Sequence, residues 1–509
     1  MMAAHGARLP GRRLGELLAG LADAGPAADV MVTGLAADSR KVRPGDLFLA
    51  RAGRRTHGLA YLDRAIAAGA AAVAWEPPFP GTGAAEVAGI PLVPVERLGE
   101  RAGVIADRFY LHPSRDLRVV GVTGTDGKTS CAHLVARALD RPAARCGLMG
   151  TLGHGLPGAL DSDGHTTPDA VEVHARLESL RRAGARWAVM EVSSHALDQG
   201  RVAGVAFEAA VLTNLTRDHL DYHGDAEAYA RAKRRLFEGR ELGWAVLNAD
   251  DPMGARWLAE PPGPARLLAY GTKAEVPAGA AWVLARDLRA DAEGIRMAVE
   301  TSWGGCELAA PLLGRFNAWN LLAALAVLLA LETPIEEACA RLARVGPVPG
   351  RMERFGGGPD QPLVVVDYAH TPHALAQALA ALRSLCAGAL WCVFGCGGER
   401  DRGKRPEMGR VAEAGADHVV ITDDNPRGED AARIVAEILA GMRDPDRAYV
   451  IRDREAAIRH AVGRARPGDV VLVAGKGHET VQIVGDEYRP FSDRAVVLAT
   501  LAERGGGGG

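Results

Sequence analysis

Gly121-Val-Thr-Gly-Thr-Asp-Gly-Lys-Thr-Ser130 follows the apolar run Leu117–Val122 and opens a helical segment. Strand, glycine turn, Gly-Lys-Thr and helix together make a phosphate cradle, because backbone N–H groups of the turn and of the helix start point at anionic oxygens. Lys128 would reach the terminal phosphates of a nucleotide, and the Thr129 hydroxyl would ligate Mg²⁺. Gly124, Thr125, Asp126, Gly127 and Ser130 complete the loop. Five residues, not the usual four, separate Gly121 from Gly127. At a strand-to-helix junction the motif still reads as a site for ATP.

Two further segments should open beside that loop. Glu191-Val-Ser-Ser-His195 ends the strand candidate Trp187–Val192, and Thr213-Asn-Leu-Thr-Arg-Asp-His-Leu-Asp221 ends Ala209–Thr213. Glu191 is a candidate oxygen ligand for Mg²⁺ and His219 a candidate ligand for a second ion, since Mg²⁺ takes few protein ligands and completes its shell with phosphates and water. Downstream, Asp225–Glu238 reads as one helix, capped by Asp225, with Glu227 in its first turn and Gly239 at its end. It carries Lys233 among Arg231, Arg234 and Arg235. Those four residues alone favour a solvated basic face. The sharper alternative is a lysine whose pKa its charged neighbours lower, able as a neutral amine to take up CO₂ and form an anionic carbamate ligand. Within Leu313-Gly-Arg-Phe-Asn-Ala-Trp-Asn320, Asn317 either caps the following helix or hydrogen-bonds a base edge.

The C-terminal third offers four strand-end turns: Asp367-Tyr-Ala-His-Thr-Pro372, Gly395-Cys-Gly-Gly-Glu-Arg-Asp401, Asp423-Asp-Asn-Pro-Arg427 and Gly475-Lys-Gly-His-Glu479. Asp367 could meet a ribose hydroxyl. Arg400 and Arg427 suit bidentate pairing with carboxylates, and Asp424 and Glu479 suit an ammonium group. An amino-acid substrate bears both charge types. Each turn alone is equally an ordinary strand exit, but their coincidence points to function.

Positioning these residues takes more than one core. The 509-residue chain should hold two to four domains. Three blocks are expected: 1–115, 116–346 and 347–509, the last two separated by Val345-Gly-Pro-Val-Pro-Gly350. Strand candidates are Val30–Leu35 and Asp46–Ala50 in the first block. The second has Arg118–Val122, Trp187–Val192, Ala209–Thr213 and Trp244–Leu247, with a helical run at Asn320–Leu331. The third has Leu363–Val366, Leu390–Phe394, His418–Thr422 and Asp469–Ala474. Strands alternating with helices predict an α/β fold with parallel sheets covered on both faces, twice over, and ligands beyond the carboxyl ends of the strands. Gly505–Gly509 reads as a flexible tail.

A net charge of −3 with 48% hydrophobic and 24% charged residues excludes wholesale disorder and argues against a polyanion or membrane surface as the main partner. No nucleic-acid partner is expected. Seven cysteines, an odd number that cannot all pair, fit a reducing cytosol. Trp391-Cys-Val-Phe-Gly-Cys396 reads as a buried strand and not as half a metal site. The first residues have arginines without the continuous apolar stretch of a signal peptide, and Leu321–Leu331 is about half a bilayer span. A cytoplasmic monomer taking small-molecule substrates is the expectation.

Taken together, the chain resembles the Mur ligase family, ATP-dependent amide-bond enzymes of peptidoglycan precursor synthesis. The likeness runs through Asp38-Ser-Arg40, Gly45-Asp-Leu-Phe48, the phosphate loop, Thr166-Thr-Pro168, Glu191–His195, Tyr229–Phe237, Gly314–Asn320, Pro349-Gly-Arg-Met-Glu353, Tyr368–Pro372 and the three last turns. It implies three domains: an N-terminal α/β domain for a UDP-linked substrate, a central ATPase domain and a Rossmann-like C-terminal domain. It implies Ser39, Arg54, Arg55 and Thr56 for the uridine nucleotide, and Thr166, Thr167, Ser193, Gln199 and Arg201 for the sugar-peptide. Gly124 to Ser130 would hold the ATP phosphates, Asn317 and Asn320 would lie near adenine, and Arg351 and Asp367 would join them. Lys233 matches the lysine this family carbamylates, which reverses the reading from charge alone. Lys128, Glu191, His219 and Lys233 would be catalytic, with Thr129, Glu191, His219 and carbamylated Lys233 at the metal.

The resemblance also assigns Arg400, Asp424, Asn425, Pro426, Arg427, Gly475 and Glu479 to a diaminopimelate pocket. The implied reaction adds meso-diaminopimelate to UDP-N-acetylmuramoyl-L-alanyl-D-glutamate through an acyl phosphate; the alternative is a related ligase using lysine or another amino acid. Family members that use lysine generally lack the Asp-Asn-Pro-Arg turn. Four positions depart from the usual pattern: Asp126 and His165 where asparagine is common, and His373 and Glu399 where aspartate is common.

Overall fold

The computed structural model describes residues 10–53, 56–79, 86–161, 164–273 and 276–506. Its first sheet has five strands, in the order Gly34–Ala36, Asp46–Ala50, Ala72–Trp75, Ile90–Pro94 and Glu86–Val87, all parallel except the last pair. Every residue of Asp46–Ala50 is buried, as a strand covered on both faces must be. The single strand expected at Val30–Leu35 is instead two pieces. Met31–Val32 pairs with Arg12–Arg13 in a separate ribbon, while Gly34–Ala36 joins the main sheet. Met31 is half exposed and faces no core.

An eleven-stranded sheet forms the middle of the molecule. Arg118–Thr123 lies at its heart, between Ala185–Glu191 and Phe207–Leu212, both parallel to it. This order brings the phosphate loop, the Glu191 strand end and Thr213 out at one carboxyl edge. Trp244–Asn248, Arg266–Gly271 and Ala281–Asp291 extend the parallel run. Antiparallel hairpins finish both edges, Gly294–Thr301 with Gly304–Ala310 on one side and Gly153–Leu156 with Ala159–Asp161 on the other. The regular strand–helix alternation expected for this block is corrected there, because the outer part of Ala281–Asp291 alternates half-buried and exposed residues as a one-faced strand does. The helix Asn317–Ala330 packs against Lys128–Leu139 and the sheet; of its residues only Trp319 is not buried. It starts three residues before the expected Asn320. Asn317 does not cap it: the cap position is Phe316, and the Asn317 amide donates to the Leu313 carbonyl (2.7 Å).

The third sheet runs Glu353–Gly356, Leu363–Asp367, Val470–Ala474, Leu390–Phe394, His418–Ile421 and Tyr449–Val450, with only the first strand antiparallel. A hairpin, Val481–Val484 with Glu487–Pro490, follows the last turn. The closing helix is Asp493–Gly506, so the first two glycines of the expected tail continue a helix; Gly507–Gly509 lie outside the described residues. Cys306 and Cys339 are joined as a disulfide, whereas Cys131, Cys146, Cys386, Cys392 and Cys396 are free. Cys392 and Cys396 are buried. Among the described residues no helix is long and apolar enough to cross a membrane.

Candidate active site

The carboxyl edges of the central and C-terminal sheets face each other across a cavity of about 1780 Å³. Gly124 and Gly127 shape its phosphate loop, with φ of 146° and 81°, a region costly for any residue with a Cβ. A Cβ on Gly124 would lie 1.9 Å from Thr213 Oγ1, and one on Gly127 2.6 Å from Asn320 Oδ1. The loop is stitched to the neighbouring strand end: Thr125 N donates to Asn214 O (2.9 Å), Asp126 N to Asn214 Oδ1 (2.9 Å), and Thr213 Oγ1 to Asp126 O (2.6 Å). Lys128 Nζ donates to two carbonyls of its own loop, Gly124 O (3.0 Å) and Thr125 O (2.8 Å). Burial lowers its pKa.

Glu191 is buried, and its partners are short polar groups. Thr129 Oγ1 donates to its Oε2 (2.8 Å), Thr151 N to Oε1 (2.8 Å) and Thr151 Oγ1 to Oε2 (3.2 Å). A carboxylate beside a hydroxyl at the mouth of a phosphate loop is a hard oxygen donor set of the kind Mg²⁺ selects. Among the described residues no three His, Cys, Asp or Glu side chains form a metal cage, so phosphates and water would have to complete the shell. His219 lies over the same cavity with left-handed backbone (φ 54°), its Nε2 3.4 Å from Asp218 Oδ2. Burial holds its imidazole well below the ordinary value, leaving a neutral ring with a lone pair to offer.

Lys233 overturns the solvated-face reading. Asp225 caps the helix Ala226–Arg234 as expected, accepting from Ala228 N (2.7 Å). The helix turns Arg231 outward but buries Lys233, which is 1% exposed. Lys233 Nζ donates to Gly124 O (2.6 Å) and sits 4.6 Å over the Tyr229 ring. Burial, and then the charge of Lys128, lower its pKa well below that of an ordinary lysine.

At the start of the loop helix, beside Gly127, Asn320 lines the cavity, and Asn317 stands behind it, accepting from its amide (2.8 Å). The sequence reading had missed Trp319 and Asp250, which line the same wall and are joined by Trp319 Nε1 donating to Asp250 Oδ2 (2.7 Å). Arg351 crosses from the C-terminal block to donate to Thr129 Oγ1 (3.0 Å), its guanidinium 4.2 Å over Tyr368. Asp367 is turned to its own chain: Met352 N and Ala369 N occupy its two oxygens (2.7 and 2.8 Å). Its carboxylate braces a turn where the sequence had offered it to a ribose.

The opposite wall carries Arg400, Asp424, Asn425, Arg427, Gly475 and Glu479. Glu479 Oε2 accepts from Asn425 Nδ2 (2.8 Å) and from Lys476 Nζ (2.7 Å). Lys476 is fully buried and also bonds Asn425 Oδ1 (3.0 Å). It lay within the quoted Gly475–Glu479 turn, but nothing in the sequence distinguished it from a surface lysine. Arg427 Nη1 donates to Gly398 O (2.9 Å), and Arg400 Nη1 to Glu399 O (3.0 Å). Pro426 is buried behind this wall.

Thr166 and Ser193 line the cavity. Thr167, Gln199 and Arg201 form a belt beneath it: Thr167 Oγ1 donates to Glu191 O (2.8 Å), Arg201 Nη1 to Thr167 O (2.8 Å) and Arg201 Nη2 to Gln199 Oε1 (2.7 Å). Burial, followed by the charge of Arg51, lowers the Arg201 pKa, which brings Arg51 into the same neighbourhood. Ser39 is buried in the N-terminal unit, and Thr56 is exposed there. Arg54 and Arg55 lie outside the described residues.

Fold and site define a phosphate-loop α/β protein in which two sheets share one cleft. Residues 122–328 match the Mur ligase middle domain, 350–477 the Mur ligase glutamate ligase domain, and 31–110 the catalytic domain of the Mur ligase family. The chain belongs to the Mur ligase family. It is 54% identical over 97% of its length to a UDP-N-acetylmuramoyl-L-alanyl-D-glutamate–2,6-diaminopimelate ligase of Alkalilimnicola ehrlichii, 99% of which is covered. The enzyme of that name from Pseudomonas aeruginosa is 50% identical over 91% of this chain and 94% of its own. A solved structure of a ligase of that name, 34% identical, superposes with a TM-score of 0.68 over 97% of this chain and 99% of the other.

Proposed function

We infer that this chain is an ATP-dependent, ADP-forming ligase that adds meso-diaminopimelate to UDP-N-acetylmuramoyl-L-alanyl-D-glutamate during peptidoglycan precursor synthesis. The observation that supports this reading is a single cavity lined by Lys128 on one wall and by Arg400, Asp424, Arg427 and Glu479 on the other. Diaminopimelate carries carboxylates for the guanidinium groups and ammonium groups for the acids. In the first step a D-glutamyl carboxylate oxygen attacks the γ-phosphorus of ATP. The bond to the bridging oxygen breaks, ADP leaves, and an acyl phosphate remains. The free amine of diaminopimelate then attacks the acyl carbon, the C–O bond breaks, phosphate leaves and the nitrogen loses a proton.

Lys128 exchanges its loop carbonyls for phosphate oxygens and offsets charge on the transferring group. Mg²⁺, when bound, adds to that neutralisation; Thr129 and Glu191 are the residues that would hold it, with His219 and a carbamate on Lys233 for a second ion. The carbamate forms when the neutral Lys233 amine attacks CO₂ and gives up a proton. Ser39, Arg54, Arg55 and Thr56 bind the uridine nucleotide and Thr166, Ser193 and the Thr167–Arg201 belt the sugar-peptide. The three units 1–115, 116–346 and 347–509 each bring one ligand, and the enzyme works as a cytoplasmic monomer.

Phosphate release from ATP with the UDP-muramoyl dipeptide tests the reading. Release should require meso-diaminopimelate, and lysine should not replace it. Arg427→Ala should raise the KM for diaminopimelate about a hundredfold, as expected for loss of a desolvated charge partner, with a far smaller change for ATP. Release indifferent to the amino acid would refute the ligase, and equal use of lysine would refute its specificity.

A further inference from the structure

Asp126 puts a carboxylate inside a loop that must receive polyphosphate. Its backbone is held on both sides, since its N–H donates to Asn214 Oδ1 (2.9 Å) and its carbonyl accepts from Thr213 Oγ1 (2.6 Å) and Asn214 Nδ2 (3.2 Å). The loop backbone is therefore fixed at this residue, and only the side chain is left to be oriented. Its Oδ2 meets His373 Nδ1 at 3.2 Å. His373 comes from the other side of the cleft, as the second residue of the helix Pro372–Arg383. That helix start is itself fixed, because the buried Thr371 caps it by accepting from Ala374 N (3.1 Å). Both Asp126 and His373 line the cavity.

A cation at a helix start is opposed by the helix dipole, and the other carboxylate facing His373 is Asp251. The hydrogen bond to Asp126 nevertheless raises the imidazole above its ordinary value. A carboxylate left unpaired there would repel the incoming triphosphate.

We propose that His373 is a positioning residue for the nucleotide: as an imidazolium it neutralises Asp126 and turns that carboxylate from the phosphates, so that full ATP affinity requires the helix Pro372–Arg383 to be seated on the loop. The proposal rests on ATP being the nucleotide. It gives the C-terminal unit, whose Arg351 already reaches Thr129, a second charged contact with the nucleotide loop.

A double-mutant cycle read by ADP calorimetry and by ATP KM and kcat tests it. His373→Ala should weaken ADP binding and raise the ATP KM about tenfold, a typical cost for losing a charge partner, with a smaller effect on kcat and an unchanged melting temperature. His373→Asp should be worse, because it sets two carboxylates face to face. Adding Asp126→Asn to His373→Asp should recover affinity. Equal affinity of wild type and His373→Ala, or a His373→Ala defect that persists unchanged beside Asp126→Asn, would overturn the proposal. Wild-type protein that binds ADP but releases phosphate without regard to diaminopimelate refutes the ligase reading and leaves this cycle to be read on binding alone. Wild-type protein that binds no nucleotide overturns both.

Discussion

Burial and the charge of a neighbouring lysine both shift a lysine nitrogen toward its neutral amine form. Lys233 has both, with one carbonyl as its hydrogen-bond partner, and the amine form is what CO₂ requires. Lys233→Ala should lower kcat by roughly 10²–10³-fold, the usual cost of removing one preorganised electrostatic group. Formate or acetate supplied in the assay should restore part of it by taking the carbamate's place. A variant as active as wild type, or one that small carboxylates leave unmoved, would exclude the carbamate. The residue itself shows where sequence reasoning stops. Its neighbours Arg231, Arg234 and Arg235 make the helix look uniformly basic, and only the burial of Tyr229, Ala230 and Ala232 beside it reveals which cation goes inward. Asp367 differs in the opposite sense: its position reads as a free strand-end acid, yet its oxygens are taken by two backbone amides, one from Ala369 just after it and one from Met352, fifteen positions earlier. Glu191 and the loop residues were legible because a parallel strand's end leaves a side chain few places to go.

Among the elements, the helix Asn317–Ala330 bears most on the site. It lies buried against the loop helix, and its Asn320 fills the space that Gly127 leaves open. Leu325→Ala, at a fully buried position, should destabilise the central unit by about 2–5 kcal/mol, seen as a lower urea midpoint with an unchanged m-value. A loss below about 1 kcal/mol would mean that the site collapses around the missing side chain. The parallel strands and the loop helix were readable from apolar runs followed by glycine turns. The antiparallel edge strands from Ala281 to Ala310 were not, because the outer part of Ala281–Asp291 alternates half-buried with exposed residues and carries no continuous apolar run of the kind that marks the inner parallel strands. The split at Val30–Leu35 was hidden for a related reason: which sheet a short apolar run joins is a tertiary choice that its own residues do not record.

At the scale of the whole molecule, the N-terminal and central units meet through His174. This fully buried histidine donates from Nε2 to Ala203 O (2.9 Å), with its Nδ1 3.6 Å from Asp107, which His112 also pairs. Burial lowers its pKa from the ordinary 6.5. A folded-state pKa below the unfolded one means that the unfolded chain binds the proton more readily. The stability this histidine supplies is therefore complete above pH 6.5 and is lost as the pH falls through its folded value. The melting temperature of the wild type should fall more steeply between pH 7 and pH 5 than that of His174→Gln, which keeps a donor for Ala203 but cannot ionise. Parallel slopes would show that the interface does not sense this proton.

The carbonyl of Gly124 accepts from Lys128 and Lys233 at once. A loop in that state is already satisfied, so nucleotide arrives as a trade: each bond Lys128 makes to phosphate replaces one it gives up. A phosphate oxygen carries charge and a carbonyl does not, so the trade still favours the nucleotide, but by the difference between two bonds and not by a whole one. The resting contacts of Lys128 thus set how much of its attraction to phosphate is left for holding ATP.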